Sequence, residues 1–202
     1  MDWLIPFHAK LDEVEPLIGR AKSAIHLGIG DSIVEAVWSM KFFKEIVFTD
    51  VDASKLSVLA GFLEKNFPRT ISALDVSPVY PEIGLRRALL VLEDFRRSLG
   101  LKPLSPGFEA RKIGIRLLNL LNDEFQVQCF DRVLFFGFTS VFKKALDEGY
   151  PLISLVSKIL RLLKPSGRAI LSDILPKAGI FSRLKELGFE MVGDFTFCLD
   201  KP

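Results

Sequence analysis

The chain has 202 residues, of which 49% are apolar, 26% are charged and 18 are phenylalanine. This composition excludes a disordered chain, which would be poor in apolar residues and carry a high net charge. The formal net charge is +2, from 27 basic and 25 acidic residues, so no broad electrostatic field directs the protein to nucleic acid or to a membrane surface. No uncharged apolar run reaches the roughly 18 residues that a membrane-spanning helix needs.

The first residues and the rare residue types exclude further classes of protein. The first residues, Met1-Asp2-Trp3, lack the basic start and apolar core of a secretory signal, which predicts a cytoplasmic protein. Cys129 and Cys198 are far apart in sequence, so we expect buried free thiols rather than a disulfide. The two histidines, His8 and His26, are too few for most Cys/His zinc clusters, and no metal is expected. No G-x-S-x-G motif points to a serine hydrolase.

Strand-like and helix-like segments alternate along the chain. The predicted strands are Ala24–Leu27, Ile46–Thr49, Thr70–Leu74, Val133–Phe138 and Arg168–Ser172. The predicted helices are Ile33–Phe43 with a Ser32/Glu35 capping box, a helix capped by Asp52 that includes Leu56 to Leu63, Pro151–Leu163 and Ile180–Leu187. An extended segment, Phe189–Leu199, closes the chain. This alternation predicts an α/β fold in which a doubly wound, mostly parallel sheet is covered on both faces.

One stretch, at about 77–126, interrupts this alternation between the third and fourth predicted strands. We assign it as a helical insertion within a single domain of residues 1–202. It predicts two helices, the first carrying Leu85, Leu89 and Leu92 on one face and the second running from about Phe108 to Leu121. We expect the insertion to form a lid over the cleft or an interface in a homo-oligomer. Its charge is barely positive, so nucleic-acid binding is not supported.

A candidate ligand site begins at Gly28-Ile29-Gly30, which follows the first strand and opens a helix. Glycines at such a turn let the backbone approach a ligand, although the same pair also suits an ordinary tight turn. Asp50 lies 20 residues after Gly30 at the end of the second strand, where a carboxylate can accept hydrogen bonds from ribose hydroxyls. Asp75 ends the third strand and is expected either near a base or in a solvated loop.

Two nucleotide-binding classes are disfavoured. A dinucleotide fingerprint would place a third glycine at position 33, where this chain has Ile33. The chain also lacks a G-x-x-x-x-G-K-[ST] phosphate loop.

Four segments resemble the class I S-adenosylmethionine-dependent methyltransferases. The most specific is Ile159–Asp173 (ILRLLKPSGRAILSD), which is similar to the "L-x-x-L-K-P-G-G-x-hydrophobic" segment of that family. Ala24–Gly30 (AIHLGIG) resembles the glycine motif of the family, Ile46–Val51 (IVFTDV) its second strand and Phe130–Phe136 (FDRVLFF) its fourth. The resemblance covers roughly residues 20–76 and 129–192 and leaves out the insertion.

The resemblance implies a sheet of six or seven strands, in the family order 3-2-1-4-5-7-6, and S-adenosylmethionine as the cofactor. It places Gly28 and Gly30 beneath the methionine part and His26 at its amino end. By the same resemblance, the other cofactor-binding residues are Asp50 at the ribose, Val51 and Asp75 at the adenine, and Gly137 and Phe138 near the methyl group. The implied activity is methyl transfer to an acceptor, small molecule or protein, that the sequence does not identify.

Departures from the family pattern leave an alternative open. His26 stands where the family usually has an acid, and Ser32 replaces a third glycine of its motif. A catalytically inactive, methyltransferase-like binding or scaffold module is therefore the second hypothesis, and a buried histidine is the alternative role for His26. No catalytic residue is evident. Asp131 and Asp173 are candidate general bases by position, but a structural role is expected for both.

Overall fold

A computed structural model of the chain describes residues 9–82, 84–103, 107–124, 129–174 and 179–202. In chain order, the helices in these ranges are α1 (Leu11–Ile18), α2 (Ile33–Ser39), α3 (Ala53–Asn66), α4 (Leu85–Ser98), α5 (Phe138–Asp147), α6 (Leu152–Leu162) and α7 (Ile180–Glu186). The strands are β1 (Ser23–Leu27), β2 (Glu45–Asp50), β3 (Ile71–Leu74), β4 (Lys112–Leu117), β5 (Phe130–Phe136), β6 (Leu163–Ser172), β7 (Glu190–Met191) and β8 (Thr196–Asp200).

The described strands form one eight-stranded sheet in the order β3-β4-β2-β1-β5-β6-β8-β7. Neighbouring strands from β3 to β6 run parallel, whereas β8 is antiparallel to both β6 and β7. The predicted α/β, doubly wound, mostly parallel architecture is confirmed. The sheet has eight strands where six or seven were expected.

Helices cover both faces of the sheet because the apolar side chains of the strands alternate between the two faces. The helices α1 to α4 bury apolar residues in one core together with Ile46 and Phe48 of β2. The helices α5 to α7 form a second core with Val133 and Phe135 of β5. Burying a large apolar side chain in this way contributes roughly 1.5–3 kcal/mol of stability. The two cores contain much of the apolar content of the chain.

The predicted starts of two helices are confirmed by their capping bonds. The Ser32 hydroxyl accepts a hydrogen bond from the Glu35 N–H at 3.3 Å, and the Asp52 carboxylate accepts one from the Ser54 N–H at 2.8 Å. The Glu35 carboxylate accepts from the Ala9 N–H at 3.0 Å. Ser32 therefore serves as a buried helix cap at the position of the third family glycine.

The insertion is not a pair of helices. Its first predicted helix is present as α4, which packs beside α2 in the first helical layer. The second is wrong, because residues 112–117 form β4, which lies in the sheet between β3 and β2. Ile113 and Ile115 enter the core on alternate positions, which is the period of a strand. Between them, Gly114 lies against β2, where an added Cβ would meet a Val47 methyl at 3.3 Å.

Two further details differ from the sequence predictions. The fourth predicted strand ends at Phe136, because Gly137 adopts a left-handed conformation with φ 64° and starts α5, a helix that was not predicted. The cysteines are free as expected, but only Cys198 is buried, since Cys129 is exposed. In the described ranges, no helix is long and apolar enough to span a membrane.

Candidate functional site

A cleft of about 320 Å³ opens at the carboxyl ends of β1, β2, β4 and β5. In the sheet, β1 lies between β2 and β5, so the chain connections leave β1 toward opposite sides. Such a divergence creates a crevice outside the carboxyl ends of parallel strands, which is where α/β sheets bind ligands. The position of the cleft therefore follows from the strand order.

The glycine turn after β1 forms the floor of the cleft. Gly28 and Gly30 both line it and have φ values of 63° and 59°, a left-handed conformation that costs other residues energy. The Ile29 N–H donates to the Thr49 carbonyl of β2 at 3.0 Å, which holds the turn against the neighbouring strand. An added Cβ at Gly28 would contact the Phe135 ring at an ordinary 3.6 Å, so backbone conformation, not space, requires this glycine.

Asp50, at the end of β2, joins the glycine turn to the start of α3. Its Oδ2 accepts from the Gly30 N–H at 3.0 Å, and its Oδ1 accepts from the Asp52 N–H at 2.9 Å. The residue is only 6% exposed, yet it lines the cleft. A carboxylate has about four lone-pair positions, so each oxygen can accept one more hydrogen bond from a ligand. Beside it, Val51 lines the cleft with a side chain that is 65% exposed.

The loop after β4 forms the wall next to Asp50. The Leu118 N–H donates to the Asp50 carbonyl at 2.9 Å, and the Asn119 Oδ1 accepts from the Leu121 N–H at 3.0 Å. The Lys158 ammonium of α6 donates to the Leu121 carbonyl at 2.5 Å. Residues 118–121 line the cleft and are thus held in place from both ends.

Asp75 lies away from this wall, contrary to the expectation that it would line the site. The expectation rested on Asp75 ending the strand beside β2, but that strand is β4, and Asp75 follows the outer strand β3. Asp75 is exposed and is absent from the cleft lining. Asn119 takes the position that was expected for it. The alternating Ile113-Gly114-Ile115 pattern was the signal that could have identified β4, and with it Asn119.

The opposite wall is built by the junction of β5 and α5. Gly137 lines the cleft, and its N–H donates to the Ser172 carbonyl at 2.9 Å. From α5, Ser140, Val141 and Lys144 also line the cleft. Phe138 does not, contrary to expectation, because it is fully buried and packs edge-on against the Phe142 ring at a centroid distance of 5.5 Å.

The charged groups that line the cleft are few. Among the described lining residues, Asp50 is the one carboxylate, and Lys55 and Lys144 are the two cations. Lys55 pairs with Asp31 at 3.5 Å and Lys144 with Glu148 at 3.8 Å, and all four side chains are at least one-third exposed. Such exposed pairs are weak and do not prevent either lysine from facing a ligand.

Comparison with known proteins gives a clear result for the fold. No family model matches the sequence, and no curated protein matches it. Many solved structures match the fold. A TehB-like SAM-dependent methyltransferase from Corynebacterium glutamicum has a TM-score of 0.52 and 15% identity, covering 95% of this chain and 86% of that one. The fold is that of the class I methyltransferases.

Two other similar structures carry related descriptions. One is a putative S-adenosyl-L-methionine-dependent methyltransferase from Methanococcus maripaludis, with a TM-score of 0.47, 15% identity and coverage of 93% and 82%. The other is a SAM-dependent methyltransferase from Aquifex aeolicus, with a TM-score of 0.44, 11% identity and coverage of 95% and 88%. Only the first of the three likenesses is close enough to bear on the fold.

The strand order agrees with the class I methyltransferase order that the resemblance implied. The family order 3-2-1-4-5-7-6 corresponds to β4-β2-β1-β5-β6-β8-β7. The strand β3 is then an additional edge strand outside β4. The last two strands of the family sheet are both present, although β7 has only two residues.

His26 lies in the core of this class I methyltransferase fold. It is 1% exposed, does not line the cleft, and its ring lies 4.7 Å from that of Phe136 and 6.0 Å from that of Phe48. This placement favours a buried histidine over a side chain that reaches the cleft. His8, the other histidine, lies outside the described residues.

The two candidate bases have structural surroundings. Asp131 lies at the amino end of β5, the edge of the sheet opposite the cleft. Burial alone would raise its pKa, but hydrogen bonds from the Lys164 ammonium and from Ser23 and Lys22 lower the pKa of Asp131 to about 2. Asp173 follows β6, is 4% exposed and accepts hydrogen bonds from Thr139. Neither carboxylate lines the cleft.

Proposed function

We propose that this chain transfers a methyl group from S-adenosylmethionine to an acceptor. The supporting observation is the 3.0 Å hydrogen bond from the Gly30 N–H to the Asp50 carboxylate. It brings the glycine turn and the acidic residue together in one cleft, within a fold shared with methyltransferases. Neither feature is specific alone, but together they match the features of the sequence that resemble the family.

The described cleft fits the nucleoside part of the cofactor. Asp50 would hold the ribose hydroxyls, and the exposed Val51 side chain would cover one face of the adenine. Asn119, rather than Asp75, would meet the edge of the base. Gly28 and Gly30 would lie beneath the methionine part, where the absence of side chains permits close approach.

When bound, the cofactor supplies a methyl group on a positively charged sulfur, which is already activated for displacement. The protein has then to orient the acceptor and exclude water. Gly137 and the cleft-facing side of α5 would do this opposite Asp50. A general base is needed only for an acceptor that holds its proton tightly, and Asp131 and Asp173 are not placed to provide one.

A module that binds the cofactor without turnover is the second candidate function. The position of His26 favours this candidate. The family usually has a carboxylate at this place, whereas His26 is a buried imidazole that contacts two phenylalanine rings. It therefore does not supply a carboxylate to the cleft. Cofactor affinity would then come from the nucleoside part. The acceptor, a cytoplasmic location and a homo-oligomer interface through the insertion at about 77–126 remain predictions.

Titration calorimetry with S-adenosylhomocysteine tests the proposal. We expect one molecule bound per chain, and absence of binding at millimolar ligand would overturn the enzyme and the cofactor-binding module, leaving only a scaffold role. Incubation with methyl-labelled S-adenosylmethionine and fractionated cell extract then separates them. Label transferred above a boiled-protein control supports the enzyme, whereas binding without transfer in any fraction supports the module.

A further inference from the structure

The helix α5 begins directly after β5, without a connecting loop. Gly137 is the N-cap residue and has no side chain with which to accept from the first N–H groups of the helix. Relative to a Ser, Thr, Asn or Asp cap, a glycine cap costs a helix a few tenths of a kcal/mol. Because α5 forms one wall of the cleft, the placement of its first turn bears on the shape of the cleft.

Asp173 supplies the missing cap from the neighbouring strand. One of its carboxylate oxygens accepts from the Thr139 N–H at 3.1 Å and from the Thr139 hydroxyl at 2.5 Å. Asp173 itself is held, because its N–H donates to the Phe195 carbonyl at 3.1 Å. Both residues are almost fully buried, at 4% and 1% exposure. The amino end of α5 is therefore tied to the end of β6 by a charge-assisted pair shielded from water.

The residues on the two sides of α5 indicate what the hydrogen bonds between Asp173 and Thr139 control. Phe142 and Ala145 pack into the second core, whereas Ser140 and Lys144 face the cleft. A small rotation or shift of the helix would move these cleft-facing side chains together. The hydrophobic effect that buries the core side of α5 is not directional, although close packing of its rings also limits such motion. A hydrogen-bonded cap at the first turn is directional.

We propose that Asp173 is a positioning residue that fixes α5, and through it the cleft wall formed by Ser140, Val141 and Lys144. It acts through Thr139 and does not touch the ligand. This inference rests on the proposed function, since it concerns the same cleft. It assigns a role to a carboxylate whose position alone suggested a general base.

The test compares Asp173→Ala, which removes the acceptor oxygen, with two variants of its partner. Thr139→Val removes the hydroxyl donor, and Thr139→Ser keeps it. We expect Asp173→Ala and Thr139→Val to weaken S-adenosylhomocysteine binding about tenfold, the lower end of what loss of a supporting partner costs a metal ligand. Thr139→Ser should bind like the wild type. Asp131→Ala is the matched control, because it removes a hydrogen-bonded carboxylate at the opposite edge of the sheet and should leave affinity unchanged.

Amide hydrogen exchange of the unliganded protein provides a second readout. In Asp173→Ala, exchange in residues 139–144 should speed up while α6 stays protected. This holds whether or not the ligand binds, so failure of wild-type binding would overturn the proposed function and leave this inference testable. Unchanged affinity and exchange in Asp173→Ala and Thr139→Val, or an equal loss of affinity in Asp131→Ala, would overturn the inference.

Discussion

Replacing Asp131 by Asn should make the stability of the protein less dependent on pH. In the folded chain this carboxylate accepts from the Lys22 and Ser23 N–H groups, each at 2.9 Å, and from the Lys164 ammonium at 3.0 Å. These bonds outweigh the effect of burial and hold its pKa at about 2, below the ordinary 3.8. The difference corresponds to about 2 kcal/mol of folding free energy.

The sign follows from the direction of the shift. A carboxyl whose pKa is lowered on folding contributes its full stability above the unfolded pKa, and the contribution is lost as pH falls through the folded value. The wild type should therefore gain about 2 kcal/mol from Asp131 at pH 7, and about half of this should be gone at pH 3.

Urea unfolding at several pH values measures the effect. We expect Asp131→Asn to be less stable than the wild type by about 2 kcal/mol at pH 7, with the gap narrowing steadily below pH 4. Asp94→Asn provides the control, since its exposed ion pair with Arg97 should contribute little. A gap that is absent at pH 7, or that stays constant down to pH 3, would refute the reasoning.

Two further substitutions test the glycine turn of the cleft and a nearly buried ion pair away from it. Gly28→Ala should lower stability by about 1 kcal/mol in thermal unfolding, because φ at this position is 63° and alanine is strained there. It should also weaken S-adenosylhomocysteine binding. A variant as stable as the wild type would contradict the argument from backbone strain. Arg96→Met should cost about 2 kcal/mol in urea unfolding, because it removes a nearly buried guanidinium that pairs with Glu15 and donates to the Lys102 carbonyl at 2.9 Å. The exposed Arg97→Met is its control, and equal losses in the two variants would contradict that account.

The sequence was sufficient for most of the elements that are buried on both sides. Runs such as Ile46–Thr49 predict strands because a sheet covered on both faces selects continuous apolar segments. The glycine turn and the cap at Asp52 were also predictable, since both are local features. These elements place Gly28, Gly30 and Asp50 in the same cleft, which local patterns and the family resemblance together anticipated.

The errors arose where the outcome depended on distant parts of the chain. Nothing near Thr70–Leu74 reveals that β4 would enter the sheet between β3 and β2. Asp75 was therefore expected beside β2, whereas it follows the outermost strand. The leucines at 117–121 favoured a helix over the short alternating segment that precedes them. Phe138 follows a strand that ends two residues earlier than predicted, and the left-handed Gly137 turns its ring into the core.

The most direct test of the central claim is titration of S-adenosylhomocysteine into the wild type, Asp50→Asn and Asp52→Asn. The two variants remove one charge each at nearly adjacent positions, and Asn remains a good N-cap at position 52. The account predicts binding by the wild type, a loss of about tenfold or more in Asp50→Asn from weakened charged hydrogen bonds, and little change in Asp52→Asn. It is contradicted if the wild type does not bind at millimolar ligand, or if the two variants bind alike.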